Sequence, residues 1–311
     1  MFGGNNKKSR RPIGVSVTLA GVRLAQVSPT ADGYALSATA FEPLPESLSI
    51  DDANYGRELG YALSAALKQA NFTGKQCVSA MPPESMHCKN IRLPKMPEAE
   101  LAEAVTWEAK ERIVLGEPAS IQFYSAGEVR QGDAIRNEVV LLATKCSNID
   151  AHVQGLTQAG LEPTAIDATG AALARISAGL GNTSFTVFAG TKSLEVVIAR
   201  GGRVLLNKLL PVGEAGLDNA DTAELAREIG LCLRYHTVTF RGEKPASILF
   251  AGEPVPDALV NAVTQALGIP ATSLDEASGF SHHANETLSP WAVAAGLSMR
   301  GLAAPAMRGA A

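Results

Sequence analysis

Apolar and polar positions alternate along the first part of the chain as they do in strands joined by short turns. Three such segments, at about residues 12–18, 22–27 and 34–41, predict a three-stranded meander. Apolar residues then recur at helical spacing from Tyr55 to Gln69, and a further strand is predicted at about 76–80. The predicted order of this part is therefore three strands, a helix and a strand.

The same pattern returns in the second half of the chain. Asp221, followed three residues later by Glu224, has the spacing of a helix N-terminus, and Gly268 stands where a later helix is predicted to stop. A strand is predicted between these two helices, at about 247–250. The three strands that come before them are predicted at about residues 185–189, 193–198 and 203–209.

The stretch between the two repeats differs in character. A strand is predicted at about 86–93, and Pro97 stands at the first turn of a helix that is predicted to run to about Ile113. A second helix is predicted from about Ile149 to a C-terminal glycine, Gly160. Two strands between these helices are predicted at about 121–124 and 138–143. The pattern is typical of a small inserted α+β subdomain.

Two copies of a βββαβα plan resemble the duplicated, ribonuclease H-like organisation of the actin, hexokinase and Hsp70 superfamily, and predict an α/β protein. The first domain is predicted at 12–83 and 162–182 and is completed by a C-terminal helix at 289–301. The inserted subdomain is predicted at 84–161 and the second domain at 183–288. A disordered basic leader at 1–11 and a disordered tail at 302–311 are predicted at the ends.

Composition narrows the classes of function. The chain has 311 residues, of which 46% are hydrophobic, so it can bury a large core. A formal net charge of −4 gives no overall attraction to phosphate backbones, and we expect no nucleic-acid partner. The basic cluster of Lys7, Lys8, Arg10 and Arg11 either contacts anionic lipid or solubilises a disordered leader, and we favour the second interpretation.

Cysteine spacing and hydropathy predict a cytoplasmic protein. Cys77, Cys88, Cys146 and Cys232 lie too far apart in sequence for a paired zinc or redox motif, and the five histidines lack metal-binding spacing. We therefore expect no metal site. No apolar run approaches the roughly 18 residues needed to cross a bilayer, and the start does not resemble a signal peptide, so we expect no transmembrane segment.

Several stretches in collinear order resemble PilM, the FtsA-related family of pilus assembly proteins. They include IGVSVTLAGVRLAQVS near the start, a segment that ends in WEAKERIVL, and later GGRVLLNKLLPVGEAGL and SPWAVAAGLSMRG. The resemblance covers nearly the whole chain after Arg11. It implies an actin-like fold with an FtsA-type insertion, and ATP and Mg²⁺ bound between the two halves.

The residues at the implied nucleotide positions are altered. The family has an acid and then a glycine in the first phosphate loop, where this chain has Ser16 and Thr18, and a serine cannot supply the charge that Mg²⁺ requires. Phe188 stands at the acid of the second phosphate loop. Glu253 replaces a glycine of the adenosine turn. The remaining candidate nucleotide residues are Gly190, Thr191, Lys192, Ser193 and Gly252.

A further acidic position and a deletion bear on the same site. Asp167 matches an acid that positions water or metal in ATPase relatives, but Asp is also a preferred helix N-cap, and we favour the cap. The family's second-domain insertion, which holds ribose and adenine, is reduced to about ten residues before Asp221. We therefore expect no catalytic residue and no cofactor, with ATP and Mg²⁺ only if the cleft still functions.

The resemblance also implies a partner, the cytoplasmic N-terminal peptide of a PilN-like inner-membrane protein, bound in a groove between the first subdomain and the inserted one. Candidate groove residues are Ile91, Leu93, Val105 and Trp107; core packing is the competing interpretation, and we favour it for all four. The chain itself, as a ring or oligomer, and other pilus components are further possible partners.

Two classes of function remain open at this level. The first is a pseudo-ATPase adaptor at the inner membrane. The second is an active ATPase whose metal is held through water by Ser16 and Asp167. A GspL-like component of type II secretion would share the fold.

Overall fold

A computed structural model describes residues 11–30, 33–113, 115, 118–213, 216–242, 244–277 and 287–301. The predictions for the leader at 1–11, apart from Arg11, and for the tail at 302–311 fall outside these residues. The described part is a mixed α/β structure with three sheets.

The elements follow one another in an order that repeats. The strands are β1 (Ile13–Thr18), β2 (Gly21–Pro29), β3 (Tyr34–Pro43), β4 (Gln76–Ala80), β5 (His87–Pro94), β6 (Ala119–Gln131), β7 (Ala134–Lys145), β8 (Glu162–Asp167), β9 (Thr183–Ala189), β10 (Ser193–Arg200), β11 (Arg203–Pro211), β12 (Ile248–Gly252) and β13 (Ala271–Ser273). The helices are α1 (Tyr55–Ala66), α2 (Glu98–Arg112), α3 (Cys146–Gln158), α4 (Thr169–Ile176), α5 (Thr222–Phe240), α6 (Asp257–Leu267), α7 (Leu274–Ala277) and α8 (Ala292–Ser298).

The first two sheets have the same topology. The first has strand order β3-β2-β1-β4-β8, and the second has order β11-β10-β9-β12-β13. In each sheet three antiparallel strands are followed by two that pair in parallel. The helix pair α1 and α3 packs together beside the first sheet, as α5 and α6 do beside the second. The duplicated actin-like plan is confirmed.

Two helices cross between the repeats. Helix α4 follows the first sheet but packs on β10 and β11, whereas α8 follows the second sheet and packs on β1 and β2. The helices also contact each other, and small residues allow the close approach. A Cβ atom at Gly296 would overlap the carbonyl oxygen of Ala172, and one at Gly14 would overlap that of Ala294. The two halves are therefore joined by backbone contacts that only glycine permits.

The third sheet, with order β5-β7-β6, belongs to the insertion. Helix α2 packs on one of its faces. The sheet also contacts the second half of the protein: the Asn90 side chain donates to the carbonyl oxygen of Leu205 at 2.8 Å, and Arg92 donates to the Thr239 hydroxyl at 2.7 Å. The buried carboxylate of Glu138 accepts hydrogen bonds from Arg92 and from the Tyr235 hydroxyl.

Several predicted boundaries differ from the structure. The hairpin β6–β7 is much longer than the predicted strands at 121–124 and 138–143, because its outer residues are polar and exposed and give no hydrophobic alternation. The predicted helix at 289–301 is a 3₁₀ turn at Ser289–Trp291 followed by α8. The predicted cap of α5 is confirmed, since the Asp221 carboxylate accepts from two backbone N–H groups at 3.0 Å.

The close contact of α8 with α4 gives a stability prediction. We expect Gly296→Ala to lower the free energy of unfolding by about 2 kcal/mol, because the new methyl group meets backbone that cannot rotate away. Gly179→Ala is the matched control, since its Cβ meets open space, and we expect it to change the free energy by less than about 0.5 kcal/mol. Equal effects of the two substitutions in denaturant unfolding would contradict the contact.

Candidate functional site

Two hairpin turns, one from each repeat, face each other where the halves meet. The turn between β1 and β2 contributes Thr18 and Leu19, and the turn between β9 and β10 contributes Gly190, Thr191 and Ser193. The cavity between them has a volume of about 10 Å³. That is the space of a single water molecule, and larger spaces border the same residues: a groove of about 390 Å³ at Thr18 and Leu19, and a cavity of about 300 Å³ at Glu195.

Several polar groups of the two turns bond within the protein. Thr18 donates from its hydroxyl to the carbonyl oxygen of Gly21 at 3.4 Å, and the N–H of Gly190 donates to the carbonyl oxygen of Ser193 at 2.8 Å. The Ser193 hydroxyl donates to Glu84 at 3.2 Å. Ser16 is buried in β1. Lys192 lies at a separate groove that also borders the turn after β1.

The turn after β12 begins next to the end of β9, where Gly252 pairs with Ala189. Gly252 has φ of +95°, and a Cβ there would overlap the carbonyl oxygen of Ala189, so the close approach of β9 and β12 already requires glycine. Glu253 forms a 2.5 Å ion pair with Arg23 of β2. The Arg23 guanidinium also lies 4.7 Å from the centre of the Phe41 ring. Glu253 therefore ties one half of the protein to the other.

Glu195 is an acid that sequence reasoning missed. Its side chain points from β10 into the core next to Glu84, and it is almost fully buried. Burial raises its pKa to about 7; a hydrogen bond from Asn207 opposes the rise, and the nearby Glu84 carboxyl adds to it. Its Oε2 atom has no hydrogen-bond partner among the described residues. The sequence signal was a charged residue inside the apolar run SLEVVI.

Asp167 lies at the centre of a buried cluster. Its Oδ1 accepts from the Tyr124 hydroxyl at 3.1 Å and from the N–H of Ala168 at 2.9 Å. Its Oδ2 accepts from Arg300 at 2.7 Å and from Arg175. Burial opposes ionisation, but the guanidinium groups of Arg175 and Arg300 and the Ala168 N–H outweigh it and hold the Asp167 pKa below its usual value.

The favoured interpretation of Asp167 as a helix cap is wrong. Helix α4 begins at Thr169, its N-cap residue is Ala168, and no side chain caps it. The Asp167 carboxylate instead makes ion pairs with two arginines. Its alternative role in placing a metal or water stays a prediction.

A cleft of about 570 Å³ opens beside this cluster. Strand β6 of the inserted sheet forms one wall, and β8 with α4 forms the other. The turn between β10 and β11 and the residue Arg300 lie at its ends. In the described part of the chain, β6 pairs only with β7, and β8 pairs only with β4. Two sheet edges with unpaired backbone groups therefore border the cleft.

Three of the four candidate groove residues lie in a core, so their assignment to a partner groove is corrected. Ile91, Leu93 and Val105 are 4%, 5% and 0% exposed and pack in the core between the inserted sheet and α2. Ile91 and Leu93 lie on the same side of β5, and Val105 lies on the inner side of α2, so all three face their own subdomain. Trp107 is 64% exposed on the outer side of α2, and it does not line the cleft. A partner contact of Trp107 stays a prediction.

No metal-binding group of three or more His, Cys, Asp or Glu side chains occurs among the residues the structure describes. The buried His152 contacts two hydroxyls, those of Tyr55 at 3.2 Å and Ser79 at 2.8 Å. Of the cysteines, Cys77 and Cys232 are buried, while Cys88 and Cys146 are half-buried. Within the described ranges, no helix is long and apolar enough to span a membrane.

The repeated sheets, the crossing helices and the facing hairpin turns define a protein of the actin-like ATPase fold. The family is shown by sequence. The model of the family described as type IV pilus assembly protein PilM matches residues 14–191, which is more than half of the chain. This chain belongs to the PilM family.

Solved structures share the fold. A chain of a PilM–PilN type IV pilus biogenesis complex is 21% identical and superposes with a TM-score of 0.74, over 94% of this chain and 99% of that one. An actin-like ATPase fold protein of unknown function from Bacteroides thetaiotaomicron has 10% identity and a TM-score of 0.53, over 93% and 96% of the two chains. The cytoplasmic domain of EpsL, an inner-membrane component of the Vibrio cholerae type II secretion system, has 9% identity and a TM-score of 0.50, over 94% and 96%.

Burial of Glu195 predicts a pH-dependent effect on stability. Its pKa is about 7 in the folded protein and ordinarily 4.5, so between these values the folded state holds a proton that the unfolded chain releases. Stability is therefore lost as pH rises through this window. We expect Glu195→Gln to raise the free energy of unfolding at about pH 8 on the order of 1–3 kcal/mol. At about pH 5 we expect a much smaller gain.

Urea unfolding at both pH values measures this difference. Burial lowers the pKa of His152 to about 4. This affects the wild-type protein and Glu195→Gln equally, so it cancels when the two are compared. A gain from Glu195→Gln that is the same at the two pH values would contradict the assignment of a raised pKa to Glu195.

Proposed function

We propose that this chain is an adaptor of the type IV pilus machinery that binds the N-terminal segment of a PilN-like inner-membrane protein and does not turn over ATP. It works in the cytoplasm and is held at the inner membrane by that partner. Family membership and the similar chain of the PilM–PilN complex support the proposal. The observation that carries it is an open cleft of about 570 Å³ bordered by β6 and β8, whereas the space directly between the two hairpin turns is about 10 Å³.

The cleft suits an extended peptide. An unpaired strand edge offers a row of N–H and C=O groups that a further strand can pair with. Strands β6 and β8 both present such an edge to the cleft in the described part of the chain. Apolar side chains between the edges, such as Met86, Ile149 and Ile166, provide surface for alternate side chains of the peptide.

A second groove, of about 390 Å³, also lies between the first sheet and the insertion. Its walls are the turn after β1, the loop at 44–51 and the junction of β7 with α3. Loops and helix ends form most of these walls, so this groove offers no continuous strand edge. The cleft between β6 and β8 is therefore the better peptide site.

The region between the hairpin turns argues against nucleotide turnover. Besides its small volume, it contains two acidic side chains, Glu84 and Glu195, and like charges disfavour phosphate. The Arg23–Glu253 ion pair and the Ser193–Glu84 hydrogen bond hold the halves together across it. Widening the space between the turns would break these two contacts before any contact with phosphate could form.

A substitution that fills the cleft tests the peptide site. Gln122 is exposed on β6 and lines the cleft, so Gln122→Trp adds bulk there without disturbing a core. We expect it to weaken binding of the fluorescently labelled N-terminal PilN peptide by about tenfold or more in an anisotropy titration, which corresponds to about 1.4 kcal/mol.

Gln131→Trp is the matched control, because Gln131 is exposed on the same strand but lies at the hairpin tip, away from the cleft. Trp107→Ala tests the earlier site on α2. Unchanged binding by Gln122→Trp together with lost binding by Trp107→Ala would move the peptide site from the cleft to α2.

A further inference from the structure

The cleft between β6 and β8 is electropositive. Its lining contains three arginines, Arg175, Arg203 and Arg300, and one acid, Asp167. The other lining residues in the described part of the chain are neutral. Three positive charges and one negative charge give the lining a net charge of +2. A positive lining favours a peptide that carries negative charge. This inference rests on the proposed function, in which the cleft binds a peptide.

Asp167 can neutralise only part of this charge. Each of its oxygens already accepts two hydrogen bonds, from Tyr124 and Ala168 at Oδ1 and from Arg175 and Arg300 at Oδ2. Arg175 has a second acceptor, the carbonyl oxygen of Gly296 at 2.7 Å. Arg300, in contrast, is 46% exposed, so part of its guanidinium still faces the cleft.

Among the residues that the structure describes, Arg203 is the cleft arginine whose side chain has no partner. It follows the Gly201–Gly202 turn, whose positive φ angles of 56° and 77° make a tight reversal between β10 and β11. Its side chain is exposed, and it makes no hydrogen bond or ion pair with any residue that the structure describes. The turn therefore holds at the cleft a guanidinium whose donors meet no acceptor among the described residues.

We propose that Arg203, together with the exposed side of Arg300, selects partner segments that carry an aspartate or glutamate side chain. A guanidinium presents paired N–H groups that match the two oxygens of a carboxylate. One carboxylate would lower the charge of the lining from +2 to +1 and would give Arg203 the acceptor it lacks. The backbone of the segment pairs with a strand edge, while the acidic side chain fixes its register.

An unbiased selection tests this inference. A random-peptide library is panned on the intact protein, with counter-selection on Gln122→Trp to keep only cleft binders. We expect the selected peptides to share an acidic residue at one fixed position. Replacing that residue by its amide should weaken binding about tenfold, and most of this loss should disappear in Arg203→Gln. Arg203→Lys should bind with intermediate affinity.

Arg130→Gln is the matched control, because Arg130 is exposed on β6 but lies outside the cleft. Cleft binders without a shared acidic position, or an acidic preference that Arg203→Gln leaves intact, would overturn the role of Arg203 while the peptide site stands. Failure to select any cleft binder would overturn the proposed function as well. Binding of anionic vesicles that depends on Arg203, with no acidic peptide selected, would assign the arginines to lipid instead.

Discussion

One buried carboxylate connects four separate parts of the chain. Asp167 ends β8 of the first sheet, and it bonds to Tyr124 of the inserted sheet, to Arg175 of α4 and to Arg300 just after α8. A buried charge must be compensated, and removal of one partner leaves the remaining charges unpaired at a large cost. The inserted sheet, the helix that crosses between the repeats and the end of α8 are therefore held together around a single group. The open cleft lies directly beside it.

The two spaces between parts of this protein have opposite properties. The space between the hairpin turns is small and is lined by the acids Glu84 and Glu195. The space beside Asp167 is open, bordered by strand edges and lined by arginines.

Periodicity predicted most of the fold because most strands and helices bury one face or both. It failed at the tip of the long β6–β7 ribbon, where most residues are polar and exposed, and it could not distinguish a residue that faces its own core from one that faces a partner. Ile91, Leu93 and Val105 could be named as groove candidates for that reason, although core packing was the favoured interpretation and is where the structure places them. Asp167 was found by its motif position, but its partner Arg300 lies 133 residues further along the chain, and spacing alone does not reveal such a contact.

The central claim is that the site between the hairpin turns cannot accept a magnesium nucleotide. A crystal structure of the protein grown with a non-hydrolysable ATP analogue and Mg²⁺ tests it most directly. The account predicts that Thr18 and Thr191 stay in place across a water-sized gap and that Glu253 still pairs with Arg23. An ordered triphosphate with its metal ion between the two turns would contradict it.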